Sequence, residues 1–112
     1  MKIKTVLAIN NLNGLNALKE VKKMERFKIE YIILHPQKKG KCLNEILEET
    51  NLESEKTLYW EKGNRKGITE TLKREKLDLL LSVNFGYIFK PNFLEVFKET
   101  MNLHTSYLPY NR

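Results

Sequence analysis

The sequence predicts an α/β domain: a Rossmann-like open sheet, mostly parallel, with helices on both faces. Three observations lead there. Five short apolar runs alternate with segments of helical periodicity in the order βαβαβαβαβ, and such alternation builds parallel sheets through right-handed crossovers. The run Leu79-Leu80-Leu81-Ser82-Val83 is almost continuously apolar, as expected of a strand buried on both faces. No linker or internal repeat divides the 112 residues, a length suited to one domain or a piece of one.

Ile3 to Asn10 is apolar and partly β-branched, and reads as the first strand. Asn11-Leu12-Asn13-Gly14 reads as a turn. Leu15, Leu18 and Val21 then form the stripe of an amphipathic helix ending near Lys23. Ile29 to Leu34 is the second strand, stopped by His35-Pro36. A basic loop, Lys38 to Lys41, leads to a short helix marked by Leu43, Ile46 and Leu47. Thr57 to Trp60 is a weak third strand, and Gly63-Asn64 opens a helix carrying Ile68 and Leu72. After the fourth strand, Pro91 suits the first turn of a helix, from which Phe93, Leu94 and Phe97 would pack inward. Met101 to His104 is the fifth strand, read as buried.

The composition is globular, 41% hydrophobic and 30% charged, with net charge +6. That charge suits anionic partners such as phosphates, folates or nucleic acid. It suits equally a lysine-rich surface kept soluble by its charge. A nucleic-acid-binding domain rests on charge alone, and the Lys and Arg residues are dispersed among Glu. One cysteine, Cys42, excludes a disulfide framework. His35 and His104 lack metal-ligand spacing, so no metal is expected. The amino-terminal apolar run is too short for a signal segment or membrane span. The expected compartment is the cytoplasm.

The first βα turn lacks G-x-G-x-x-G. Asn13 there suits an ordinary helix cap more than a ligand site. His35 ends strand two, where a dinucleotide-binding protein would place an acid, and reads as a surface or packing residue. Tyr59 and Trp60 read as core or rim aromatics. The stretch Asn102-Leu103-His104-Thr105-Ser106-Tyr107-Leu108-Pro109 is different. Asn102 and His104 are two apart on an extended segment, so both side chains point to one side of it. An amide donor and an imidazole so placed could grip one carbonyl oxygen. A polar pair at the end of an interior strand is costly to bury without purpose.

Taken with Asp78 to Val83 and Asn84-Phe85-Gly86-Tyr87-Ile88-Phe89-Lys90-Pro91, this stretch resembles the formyltransferases that use 10-formyltetrahydrofolate. That family includes glycinamide ribonucleotide formyltransferase, methionyl-tRNA formyltransferase and the sugar N-formyltransferases. The match covers about the last third of the chain. The resemblance implies that Asn102 donates to the formyl oxygen and stabilises a tetrahedral oxyanion. It implies that His104 polarises the same centre and relays protons. It assigns the pterin to the loop Phe85, Gly86, Tyr87, Ile88 and Phe89, with Val83 completing an apolar wall, and gives Ser106 the turn after the strand. Tyr110, Asn111 and Arg112 resemble the acceptor-binding part of the sugar N-formyltransferases. The expected acceptor is therefore the primary amine of a nucleotide-linked amino sugar.

The family's third catalytic group, an Asp some dozens of residues after the His, has no counterpart. The single aspartate is Asp78, at the amino end of a strand. Residues 1–112 are therefore expected to be the amino-terminal portion of such a catalytic domain, inactive alone. Two alternatives remain: a non-catalytic module that binds folate or a partner, and a fragment of a methionyl-tRNA formyltransferase-type enzyme. Self-association is also open to the chain through an uncovered fifth-strand edge.

Overall fold

The computed structural model describes residues 2–103. The chain runs β1 (Ile3–Ile9), α1 (Asn11–Lys22), β2 (Phe27–Leu34), α2 (Leu43–Thr50), β3 (Thr57–Tyr59), α3 (Arg65–Lys73), β4 (Leu77–Val83), α4 (Pro91–Leu94) and β5 (Phe97–Leu103). The five strands form one sheet in the order β3-β2-β1-β4-β5, and every pairing is parallel. The chain builds outward from β1 to β3, then returns to the other side of β1 for β4. This is the Rossmann-like arrangement the alternation predicts, and its carboxyl edge is where such sheets bind ligands.

Period-two alternation splits the core between two faces. On one face Leu7, Ile9, Ile32, Leu34 and Val83 bury against Leu15, Leu18 and Val21 of α1 and Ile46 of α2. On the other, Val6, Ala8, Tyr31, Ile33 and Leu80 bury against Ile68 and Leu72 of α3, with Trp60, Phe85, Phe93 and Phe97 extending that core. Asp78 lies at the opposite edge from the ligand-binding end. Its carboxylate accepts from the Lys4 backbone N–H at 2.9 Å and pairs with Lys98 at 3.2 Å, and these partners hold its pKa below the ordinary carboxylate range. It fastens three strands together.

Four expectations change. Asn11 to Gly14 is the first turn of α1, and no separate loop precedes it. Asn11 takes a left-handed backbone, φ 58°, which Asn tolerates. Its side-chain oxygen accepts from the N–H groups of Asn13 and Gly14 at 3.0 and 3.4 Å. The capping role expected of Asn13 therefore falls to Asn11. Gly14 is there for contact: a Cβ on it would lie 2.8 Å from Ile9 Cβ, so only glycine lets α1 start this close to β1. Phe97 is not helical; α4 ends at Leu94, and Phe97 opens β5. Finally, β5 is not an interior strand. It is outermost among the described strands, and every residue after Phe97 in it is exposed. The four residues of α4 are too few to cover it.

Candidate active site

A cleft of about 400 Å³ opens beside the upper halves of β4 and β5, under the loop that joins β4 to α4. Leu80 and Ser82 of β4 and Thr100 and Asn102 of β5 form its sheet wall, and Gly86, Tyr87, Ile88 and Phe89 its rim. Its volume lies within the usual range for small-molecule sites.

The loop leaves β4 sharply. Asn84 adopts φ 52°, and its N–H donates to the Leu103 carbonyl at 3.0 Å. Aromatic contacts then fold the loop back onto the core. Phe85 is buried and stacks on Phe89, with ring centroids 5.2 Å apart. Phe89 stacks on Phe93 at 4.6 Å, and Trp60 meets both edge-on at 5.0 Å. Ile88 stands at the tip, 91% exposed.

His35 locks this loop. The Gly86 N–H donates to His35 Nε2 at 2.9 Å. The imidazole meets the rings of Phe85 and Tyr87 edge-on at 4.8 and 4.9 Å, and a Cβ on Gly86 would lie 3.3 Å from its Cε1. As an acceptor, Nε2 is unprotonated. Burial lowers the His35 pKa, because a cation there would lose water and also lose the Gly86 bond. The packing role expected of His35 thus extends to holding the site loop. Sequence position alone put it at the carboxyl end of β2, but nothing in the pattern joined it to a loop some fifty residues on.

A pH dependence follows. The unfolded chain binds this proton more readily than the folded one, so stability is full above the ordinary imidazole value of about 6.5 and falls as pH drops through and below it. Urea midpoints at pH 7.5 and 5.5 should differ for the wild type, and the His35→Gln variant should lose that difference. An unchanged pH dependence in the variant would assign it to another group.

Asn102 reaches the cleft from the carboxyl end of β5, in register with Ser82. Ser82 Oγ donates to Asn102 Oδ1 at 3.0 Å, with the Met101 carbonyl a longer alternative at 3.4 Å. A serine bound to the amide oxygen sets which way the amide faces, and its Nδ2 end is the hydrogen-bond donor. Sequence reasoning found Asn102 but missed Ser82, whose strand looked purely structural.

The other expected site residues divide. Phe85, Gly86, Tyr87, Ile88 and Phe89 come together with Asn102 around one cleft. Val83 does not: its side chain belongs to the core on the opposite face, as period-two alternation from Ser82 requires. His104, Ser106, Tyr110, Asn111 and Arg112 lie outside the described residues. The Gly86 N–H is already committed to His35, so it does not serve a ligand. Among the described residues, no three His, Cys, Asp or Glu side chains converge as a metal site, and no helix is long and apolar enough to cross a membrane.

Compared with protein-family models and with curated protein sequences, the chain matches none. The fold and the site define a Rossmann-like α/β domain with a carboxyl-edge cleft flanked by an oriented asparagine.

Proposed function

We propose that this domain transfers a formyl group from 10-formyltetrahydrofolate to a primary amine, most suitably that of a nucleotide-linked amino sugar. The observation that carries this reading is the Ser82–Asn102 hydrogen bond at the edge of the cleft. It gives an amide donor a defined direction where a reacting carbonyl would sit. The sequence around Asn102, and the loop before α4, add the resemblance to the folate-dependent formyltransferases.

The cleft suits a pterin in size and lining. Phe89 and Tyr87 contribute apolar and aromatic lining, and the amides after Gly86 lie at the rim. 10-Formyltetrahydrofolate supplies the formyl carbon, which bonds to the acceptor nitrogen as its bond to N10 breaks. Asn102 Nδ2 would donate to the formyl oxygen as negative charge grows there. His104, two residues on, is assigned the proton passing from the acceptor amine towards N10.

Calorimetric titration with 5-formyltetrahydrofolate tests the reading. Wild-type protein should bind. Gly86→Val, which crowds His35, should weaken binding roughly tenfold or more, about 1.4 kcal/mol. Ile88→Ala should also weaken it while leaving stability within about 0.5 kcal/mol, because the side chain is exposed. Affinity unchanged in both variants would remove the pterin from this loop.

A further inference from the structure

His35 is a buried titratable side chain that formyl transfer, as outlined, does not use. It directly follows β2, while the loop it holds leaves the end of β4. In the sheet, β1 separates those two strands. The imidazole therefore reaches across the carboxyl edge, where this sheet class receives ligands. Its Nε2 accepts from the N–H of Gly86, an exposed residue of that loop, at 2.9 Å. An accepting Nε2 leaves the proton of the neutral ring on Nδ1. A second proton goes to Nε2 itself, and two N–H groups then face each other. Protonation does not weaken this bond by degrees; it turns an attraction into a clash of donors.

The cleft depends on the same ring. Phe85 and Tyr87 meet it edge-on, on either side of Gly86 in sequence, and Phe85 stacks on Phe89. Gly86, Tyr87, Ile88 and Phe89 all line the cleft. A loop let go at Gly86 thus takes the rim of the cleft with it.

The segments beside the ring carry mostly cations. The loop after β1, residues 10–13, is uncharged. The loop after His35 carries Lys38, Lys39 and Lys41, and the segment after β3 carries Glu61 and Lys62. The site loop carries Tyr87 and Lys90, and the Arg65 guanidinium lies 5.2 Å from the Tyr87 ring. Among the described residues, no carboxylate forms an ion pair with His35. Burial lowers its pKa, so the second proton enters below the ordinary value of about 6.5.

We propose that His35 is the positioning residue of the ligand loop and acts as a proton-operated latch: neutral, it holds residues 85–89 around the cleft; protonated, it releases them, and the cleft loses affinity for its ligand. The sign follows from linkage. A ligand that needs the latched loop binds the neutral form, so affinity is full above about pH 6.5 and falls as pH drops through the lowered His35 value. The latch rests on the formyltransferase reading only for the ligand used as a probe.

The 112-residue chain carries its own reporter. Trp60 is the only tryptophan, 4% exposed, and its ring meets Phe89 of the loop at 5.0 Å. Emission is followed from pH 7.5 to 4.5 without ligand, with circular dichroism checking that the sheet persists. Wild type should show a single reversible shift to longer wavelength, with a midpoint below about 6.5. His35→Gln offers a neutral acceptor at every pH and should abolish the shift. His35→Phe keeps a ring but no acceptor, so its emission at pH 7.5 should already match that of acid wild type; it carries the test if His35→Gln fails to fold. In a second arm, the affinity of wild type for 5-formyltetrahydrofolate should weaken roughly threefold or more from pH 7.5 to 5.0, and His35→Gln should lose that dependence. Flat wild-type emission across the range, or the same shift in His35→Gln, overturns the latch. If 5-formyltetrahydrofolate binds at neither pH while the His35-dependent emission shift persists, formyl transfer falls and the latch stands.

Discussion

Replacing Asn102 by alanine is expected to lower the kcat of the proposed formyl transfer roughly 10²-fold or more, the usual cost of one oxyanion donor. Affinity for 5-formyltetrahydrofolate should fall far less, because the amide would work hardest on charge that develops during the reaction. Asn102→Asp keeps the shape but places a carboxylate beside the forming oxyanion, so it should be no better than alanine. Ser82→Ala tests the orientation. It removes the donor that holds Asn102 Oδ1 at 3.0 Å, and kcat should drop by a smaller factor, on the order of tenfold. His104→Ala should cost at least roughly 10²-fold if that residue carries the proton. Near-normal turnover in Asn102→Ala would end the oxyanion assignment. Asn102 is solvent-exposed among the described residues, where water screens a donor. The predicted effect therefore requires bound ligand to cover the amide and exclude water.

How far the sequence reached depends on the kind of signal. Strands were legible where burial on both faces makes a run almost wholly apolar, as in Leu77–Val83, whose residues are buried or nearly so throughout. The order of elements and the parallel sheet followed from that. The start of α1 was not legible, because Asn-Leu-Asn-Gly is turn chemistry by composition. Here the same residues serve a helix start, with Asn11 left-handed and Gly14 pressed on Ile9. Phe97 fits a helical stripe by spacing from Phe93, yet it begins a strand; either periodicity fits so short an apolar run. Asn102 was found through its local pattern. Its partners were not, because the Ser82–Asn102, His35–Gly86 and Arg65–Tyr87 contacts join separate elements. Such contacts come from sheet order, and no local period encodes them.

Phe93→Ala is expected to destabilise the domain by about 3–5 kcal/mol, a large fraction of the roughly 5–15 kcal/mol that holds a typical domain together. Phe93 is 2% exposed and sits on the four-residue helix α4, whose first turn Pro91 pre-sets. Its ring meets Trp60 at 5.0 Å, Phe89 at 4.6 Å and Phe97 at 5.4 Å. Truncation would therefore leave a cavity bounded by three rings from three segments, and so short a helix has little else to hold it. Phe89 loses the ring beneath it and also lines the cleft, so ligand affinity should fall together with stability. Phe93→Leu conserves much of the volume and should cost less, under about 1.5 kcal/mol for a near-isosteric swap plus part of the aromatic pairing. Urea unfolding of wild type and both variants, read by circular dichroism, measures these differences. A loss below about 1 kcal/mol for Phe93→Ala would mean that the cluster does not support α4, and that the cleft floor is held by the sheet alone.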